Sequence, residues 1–339
     1  MFSLARPCLN RISPTLSFSS FQTDDTVAIR AAAAALASAG EGTLLFAAGH
    51  TFMTLPFNIS SNCEMLLAGD IVFHPDISRY VPIQFLPSFG GGRENKDGHG
   101  PRYEPQLGEF GARNVTITGG GSLDGNGAVW WKAKKAGQLQ WTRPHLVEMN
   151  TVTDLRIVNV ALHNSPFWTL HPVYCDGVLI DSVNISAPIS APETDCIDPD
   201  SSRNVIIRNV DLQGGDDCIA IKSGWNEAGL EFNMSSANIL IENSRFGPCG
   251  ALSLGSESSG GIHNVTARNI VMQAVDGGVY IKSGRGRGGL VHDIHFENIT
   301  VEGGLIGILV SMYYTGDPPS KNATLTPQLH NVRPGYACV

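Results

Sequence analysis

Residues 202–217 read SRNVIIRNVDLQGGDD, and this stretch decides the fold. It holds two short runs of mostly aliphatic residues, each introduced by an asparagine, and it ends in two glycines and two aspartates. Related phrases return along the chain as RNVTITGGGSLDG, VTDLRIVNVALHNSP, CDGVLIDSVNISAP, SANILIENSRFGPCG, IHNVTARNIVMQAVDGG and VHDIHFENITVEGG. A phrase of short strands that recurs every 20–50 residues or so is typical of a stacked solenoid.

The spacing of the phrases suits one full coil for each repeat. Successive anchors are separated by 40, 22, 28, 34, 26 and 29 residues and are Asn114, Asp154, Asp176, Asn204, Asn238, Asn264 and Asp293. A β-sandwich would place strands about 8–12 residues apart without repeating a phrase, and a leucine-rich repeat would need a leucine framework. We therefore predict an all-β, right-handed parallel β-helix whose anchor asparagines stack in ladders along the turns.

The two ends of the chain carry different signals. Residues 23–42, TDDTVAIRAAAAALASAGEG, predict a helix with Thr23, Asp24 or Asp25 as N-cap and Gly40 as its stop. This helix is expected to cap the first coil of a single domain over residues 23–339, which follows a segment of uncertain role over residues 1–22. Residues 307–339 trail into turn-forming and polar residues, and we expect the last coils of the solenoid to be missing.

Composition narrows the possible partners. A net charge of −8 at pH 7 argues against nucleic acid as the main partner. The chain has no run of 18 apolar residues, so we predict no membrane span. We also expect the protein to be a monomer. Its 7 cysteines contain no CxxC pair, which argues against a structural zinc site.

Seven asparagines begin an N-x-S/T sequon, namely Asn58, Asn114, Asn184, Asn233, Asn264, Asn298 and Asn322. This number fits a glycosylated protein outside the cell or in a cell wall, although no clear signal peptide is visible. The same tripeptides also arise where a strand follows an asparagine turn. Both interpretations stay open.

Carboxylates crowd into two short runs. Residues 191–202, APETDCIDPDSS, contain Asp195, Asp198 and Asp200, and Asp216 and Asp217 follow after Gly214-Gly215. Asp195 precedes the adjacent pair by 21 and 22 residues, which is about one coil. Because neighbouring coils lie about 4.8 Å apart, we expect the two runs to meet on one face.

Clustered carboxylates raise the pKa of at least one member. A protonated acid beside ionised carboxylates is the arrangement that glycoside hydrolysis requires. A calcium site and a set of solvated turn aspartates are the alternatives, and the spacing alone does not choose among the three.

Four motifs occur in the order ETDCIDPDSSRNV, GGDDCIAIKSG, LSLGSESSGGIHNV and GVYIKSGRGRGG. Together they resemble the polygalacturonases of glycoside hydrolase family 28, and NSPFWTLHPVYCDGVLI points to a plant or bacterial branch. The resemblance covers residues 23 to about 315. It implies a right-handed parallel β-helix that hydrolyses α-1,4-galacturonosyl links in pectin, with inversion and without a metal or other cofactor.

The resemblance also assigns catalytic roles by position. Asp216 falls on the general acid of the family, and Asp195 and Asp217 fall on the residues that activate water. Lys282 falls on the lysine of the family's Arg-Ile-Lys motif and would bind a carboxylate of the pectic polysaccharide.

Other residues near these motifs receive weaker assignments. Lys222 is predicted to bind substrate, and Lys222, Arg285 and Arg287 either widen the positive patch or are ordinary solvated surface. Asp198 is expected to support the site from behind, and Asp200 to belong to the turn.

The chain departs from the family pattern at several motif positions. Glu193 and Cys196 stand where the family has asparagine and glycine, Gly250 replaces the histidine of Gly-His-Gly, and Tyr280 replaces the arginine of Arg-Ile-Lys. Tyr280 is predicted to stack on a sugar ring. These changes suit a hydrolase with altered specificity, such as one for rhamnogalacturonan.

Two further expectations concern histidines and cysteines. His99, His163 and His171 are expected to be turn or packing residues and not substitutes for the missing histidine. Cys218 and Cys249 lie 31 residues apart, near one coil, and we predict a disulfide between them.

Two rival functions remain at this point. The first is a non-catalytic β-helix that binds pectin in the same groove. The second is a pectate lyase, which shares the fold but uses calcium and a basic residue for β-elimination.

Overall fold

The computed structural model describes residues 23–91, 101–314, 324–333 and 335–338. Within this part of the chain the strands form a right-handed parallel β-helix with three long sheets, as predicted. Only the short hairpin of β6 (Pro82–Ile83) and β7 (Arg102–Tyr103) is antiparallel among the described strand pairs.

Most coils contribute one strand to each sheet, and the strands β20 (Ser236–Phe246), β22 (Ile262–Gln273) and β24 (Leu290–Glu302) run through the turn from the first sheet into the second. The first sheet also contains β1 (Gly42–Phe46), β4 (Cys63–Leu67), β9 (Arg113–Thr118), β12 (Thr153–Val158), β15 (Asp176–Asp181), β17 (Arg203–Arg208) and β26 (Gln328–Arg333). The second also contains β2 (Thr51–Thr54), β5 (Asp70–Phe73), β10 (Ser122–Asp124), β13 (Ala161–His163), β16 (Asn184–Ser186), β18 (Asp211–Gln213) and β27 (Tyr336–Cys338).

The third sheet carries the candidate site. Its strands are β3 (Phe57–Asn58), β8 (Leu107–Phe110), β11 (Val147–Asn150), β14 (Leu170–Val173), β19 (Ile219–Ile221), β21 (Leu252–Leu254), β23 (Gly277–Lys282) and β25 (Ile306–Ser311). Single bridges at Ile197 and Asp200 join β14 to β19, so the sheet continues from one end of the solenoid to the other.

Alternate residues of each strand point into the solenoid and stack on one another. One column of the first sheet is at most 2% exposed and consists of Val115, Leu155, Val178, Val205, Ile239, Val265 and Ile294. Burial of each such side chain is worth about 1.5–3 kcal/mol, so the repeated β-branched phrase is also the repeated core.

Asparagines stack along the turns that lead into the first sheet, as predicted. Asn204, Asn238 and Asn264 adopt positive φ angles of 57°, 57° and 52°. The side-chain amide of Asn238 donates to Oδ1 of Asn204 at 3.0 Å, and that of Asn264 donates to Oδ1 of Asn238 at 2.8 Å. Asparagine tolerates the left-handed region, and its amide satisfies its neighbour one coil away.

The anchor predicted at Asp176 is wrong by one residue. Asp176 pairs with Thr153 and Arg203, so Gly177, with φ of 76°, occupies the turn position of the ladder. Glycine adopts positive φ angles readily, so this turn needs no asparagine. The sequence therefore lacks the residue that marks the turn position in the other coils. Oδ1 of Asp176 still accepts a hydrogen bond from the Asn204 amide at 2.6 Å.

Helix α1 (Thr26–Ala39) caps the first coil, as predicted. It buries Ile29 and Leu36 against the open end of the solenoid and ends at Gly40, which has φ of 82°. Helices α2 (Ala128–Lys135) and α3 (Asn226–Phe232) and a 3₁₀ turn (Ile77–Arg79) lie in loops between strands of the solenoid. Residues 1–22 lie outside the described residues, and the division into a segment and one domain stays a prediction.

The sequon asparagines in the described residues are all exposed. Asn114, Asn264 and Asn298 donate their amide nitrogens to asparagines of the neighbouring coil. The turn interpretation therefore accounts for these three, whereas Asn322 lies outside the described residues.

Cys218 and Cys249 form the predicted disulfide, with their Cα atoms 5.4 Å apart. It joins the start of β19 to the following coil. In the described part of the chain, no helix combines the length and apolar character needed to cross a membrane.

Candidate active site

The third sheet brings the two acidic runs together. Ile197 bridges to Ile219, so Asp195 and Asp217, each two residues earlier, lie one above the other on adjacent coils. Carboxylate oxygens of Asp195, Asp216 and Asp217 all lie within 4.8 Å of one another. The one-coil prediction is confirmed.

The glycine pair before Asp216 permits this approach. A Cβ atom on Gly215 would lie 1.8 Å from the carbonyl oxygen of Ala191, and one on Gly214 would lie 2.4 Å from that of Thr194. The Gly215 amide also donates to Thr194 Oγ1 at 2.8 Å. Any larger residue would push the two coils apart at the point where the carboxylates meet.

The carboxylates face one shared pocket. Its lining is mostly polar and charged and consists of Phe167, Trp168, Glu193, Asp195, Asp216, Asp217, Lys222, Ser256, Glu257, Lys282 and Tyr314. Five carboxylates therefore share this space with two ammonium groups.

The crowding changes the protonation of Asp216. Burial, followed by the charges of Asp195 and Asp217, raises the pKa of Asp216 to about 7. Burial also raises the pKa of Asp195, although the Lys222 ammonium opposes this. Asp216 thus carries a proton up to near neutral pH beside carboxylates that have cationic partners.

Lys282 lies at one end of the carboxylate cluster. Its Nζ donates to Oδ2 of Asp217 at 2.7 Å and lies 5.0 Å from the centre of the Tyr314 ring. Its side chain is 8% exposed. The ammonium group therefore fixes Asp217 and faces the pocket at the same time.

Lys222 is more enclosed than the sequence predicted. Its Nζ lies 3.3 Å from Oδ2 of Asp195, 3.3 Å from Oδ1 of Asp198 and 3.7 Å from Oε2 of Glu257. The Trp168 ring covers it at 4.1 Å, and its side chain is 4% exposed. Its principal partners are the protein's own carboxylates.

A metal ion would meet competition at this cluster. Calcium takes about 6–8 oxygen ligands. Here the Lys222 and Lys282 ammonium groups already contact Asp195 and Asp217. The donor set is that of an ion-pair cluster more than that of a calcium site.

The positions that depart from the family motifs take clear structural places. The Gly250 amide donates to the Asp216 carbonyl oxygen at 2.6 Å, and a Cβ on Gly250 would lie 3.1 Å from backbone atoms of Asp216 and Asp217. Tyr280 folds back over Gly277, where its Cε1 would lie 2.2 Å from an added Cβ. Tyr280 does not line the pocket, whereas Tyr314 does.

Glu193 also lines the pocket and is held by two cations. Its carboxylate contacts the Lys134 ammonium and accepts a hydrogen bond from Arg143 Nη2 at 2.5 Å. Cys196 is fully buried, and its Sγ would lie 3.0 Å from a Cβ on Gly214.

Asp198 and Asp200 are both fully buried on the floor of the site. Asp198 contacts Lys222, as expected of a supporting residue. Asp200 accepts from Ser201 Oγ at 2.9 Å and lies 3.5 Å from Nε2 of His171. Asp200 therefore lies just before the turn, and it is a buried ion-pair partner.

The remaining candidates lie away from the pocket lining. His171 is buried, and His163 contacts Ser186 Oγ at 2.8 Å, whereas His99 lies outside the described residues. Arg287 is buried over the Trp225 ring at 3.8 Å, and Arg285 is exposed. The expectation that these two arginines widen the positive patch stays a prediction.

Sequence reasoning missed five residues that line the pocket: Phe167, Trp168, Ser256, Glu257 and Tyr314. Trp168 and Glu257 lie inside quoted motifs, where Glu257 is a lone carboxylate among small residues. Tyr314 follows the last strand of the third sheet, and no pattern marked its orientation.

Comparison with known proteins identifies relatives of this architecture. A family model described as glycosyl hydrolases family 28 matches residues 94–334. A probable polygalacturonase of Vitis vinifera is 38% identical over 288 residues, which are 83% of this chain and 58% of that protein. The chain thus spans less than two thirds of that relative's length.

Solved structures agree on the fold. An exopolygalacturonase from Thermotoga maritima matches with a TM-score of 0.75 and 27% identity over 86% of this chain and 74% of its own. A polygalacturonase from Erwinia carotovora matches with a TM-score of 0.76 and 21% identity over 99% of this chain and 95% of its own.

Proposed function

The chain belongs to the glycosyl hydrolases of family 28, and from this premise we propose that it hydrolyses α-1,4-galacturonosyl links of pectin. One observation carries the proposal. A protonatable Asp216 and two cation-paired carboxylates, Asp195 and Asp217, meet at one pocket.

The chemistry needs one proton donor and one proton acceptor. Asp216 donates its proton to the glycosidic oxygen, which leaves on one sugar fragment. Asp195 and Asp217 take a proton from water as its oxygen bonds to the anomeric carbon. The products are two shorter chains, one of which has a new reducing end.

The proposal of inversion rests on family membership. Inverting glycosidases usually hold their two carboxyl groups about 6.5–9.5 Å apart, whereas here the nearest oxygens lie within 4.8 Å. Proton NMR of the first product anomer would show inversion.

Lys282 is the residue that we propose for binding a substrate carboxylate, because its ammonium faces the pocket. Tyr280 is proposed to contact the sugar next to it from its place over Gly277. Lys222 was predicted to share this role, and a different one is argued for it below.

We place this activity outside the cell or in a cell wall, in a monomer with pectic polysaccharide as its partner. The Cys218–Cys249 disulfide supports an oxidising compartment.

A product assay tests the proposal. Purified protein is incubated with polygalacturonate and, separately, with rhamnogalacturonan. We expect new reducing ends from polygalacturonate without ultraviolet absorbance from unsaturated sugars. Unsaturated products would indicate a lyase, and binding without products would indicate a pectin-binding protein. Cleavage of rhamnogalacturonan alone would assign the altered specificity.

A further inference from the structure

Lys222 has a role that its burial distinguishes from substrate binding. We propose that Lys222 acts on catalysis through Asp195: its buried ammonium holds that carboxylate charged and in place, and it does not bind the carboxylates of the substrate. The inference deepens the proposed function and rests on it.

Three carboxyl groups surround the Lys222 ammonium. A lysine ammonium has three donors. Asp195, Asp198 and Glu257 each place an oxygen within 3.7 Å of Lys222 Nζ, and the Trp168 ring closes a further side at 4.1 Å. A substrate anion would have to displace one of these partners.

Hydrogen bonds hold the backbone of Lys222 in place. The Lys222 amide donates to Pro199 O at 2.8 Å, and its carbonyl oxygen accepts from Ser201 N at 3.0 Å and from Ser236 Oγ at 2.6 Å. Residues of both neighbouring coils therefore anchor Lys222. Its side chain reaches back across one coil to Asp195.

Opposing influences act on the pKa of Asp195. Burial and the Asp217 carboxylate favour its protonated form, and Lys222 is the principal group that opposes them, ahead of Lys282. Burial raises the pKa of Asp198 well above its usual range, and the Lys222 ammonium opposes this shift as well. Without Lys222, Asp195 would accept a proton and lose its function as a base.

Lys282 provides the contrast. Its ammonium contacts one carboxylate, that of Asp217, and lies near the Tyr314 ring. It also faces the pocket. One lysine thus meets the substrate and the other supports the base.

The test compares Lys222→Met and Lys222→Arg with wild type, and Lys135→Met serves as a matched control because Lys135 is exposed at the end of α2. The readout is kcat, KM and the pH profile of kcat/KM on polygalacturonate. Lys222→Met should lower kcat at least a hundredfold, change KM less than threefold and move the acidic limb to higher pH by about one unit. Lys222→Arg should keep the limb near its wild-type position.

Other outcomes overturn the inference. A tenfold rise in KM with an unmoved acidic limb would make Lys222 a substrate-binding residue. A lowered Tm with an unmoved limb would make it merely structural.

A readout besides activity keeps the inference separable from the proposed function. Carbon-13 NMR of labelled aspartate carboxyls, with Asp195→Asn to assign the signal, follows Asp195 directly. Its titration should move to higher pH in Lys222→Met, and an unchanged midpoint would contradict the inference even if the wild type proved inactive. If Lys222→Met fails to fold, the same titration in Lys222→Arg and Glu257→Gln decides. Glu257→Gln removes a competing anion and should lower the midpoint of the Asp195 titration.

Discussion

Two buried charge clusters lie on the outer face of the third sheet, about one coil apart, and they are built on opposite principles. The first, here called the guanidinium cluster, consists of Arg102, His145, Glu148 and His171. The second, the carboxylate cluster, consists of Asp195, Asp216, Asp217, Lys222 and Lys282. Both are fixed by neighbouring strands of the same sheet.

The guanidinium cluster is balanced. Arg102 donates two hydrogen bonds of 2.7 Å to Glu148, one to each oxygen. Burial opposes ionisation of Glu148, but the Arg102 charge and the hydrogen bonds from His145 and His171 outweigh it and hold its pKa well below the usual range. Burial lowers the pKa of His145 to about 3, whereas bonds to Asp200 and Glu148 overcome burial and raise that of His171 to about 9. Each of these groups keeps one protonation state near neutral pH.

The carboxylate cluster is overloaded with negative charge. Its three aspartates and the neighbouring Glu257 face two ammonium groups, and burial with this crowding raises the pKa of Asp216 to about 7. Burial keeps the groups of the guanidinium cluster in one protonation state, whereas in the carboxylate cluster it leaves the proton of Asp216 exchangeable. Chemistry is therefore expected where the charges do not balance, and stability where they do.

The largest expected effect is the loss of that exchangeable proton. Asp216→Asn should lower kcat about 10³-fold, because an amide cannot donate a proton to the leaving oxygen. Binding of oligogalacturonides by calorimetry should change less than threefold. Turnover at more than a tenth of the wild-type rate would remove Asp216 from the role of acid.

Breaking the balanced cluster should affect stability instead. Arg102→Met leaves Glu148 buried without its bidentate partner and should lower the free energy of unfolding by about 3–5 kcal/mol, measured by urea denaturation. The matched control is Arg203→Met, whose partner Asp176 lies 2.9 Å away in an exposed pair and which should cost about 1 kcal/mol or less. Equal losses for the two variants would contradict the comparison.

The sequence predicted the fold and the three aspartates because both depend on a repeat length. The coil period brings Asp195 and Asp217 together regardless of loop detail. It does not report where a long side chain ends, so the enclosure of Lys222 by carboxyl groups and the position of Tyr280 over Gly277 could not be predicted. The pairing of Arg102 with Glu148 spans 46 residues and no motif marks it.

The most direct test of the account is the pH dependence of kcat/KM on polygalacturonate, which reports ionisations of the free enzyme. Asp216 must be protonated to act as acid, so kcat/KM should fall tenfold per pH unit above about pH 7. Loss of ionised Asp195 should set a limb on the acidic side, at a pH above the usual aspartate range. The two limbs belong to the coupled cluster as a whole. A profile that stays flat or rises between pH 6 and 9 would contradict the claim that the overloaded cluster holds the catalytic proton.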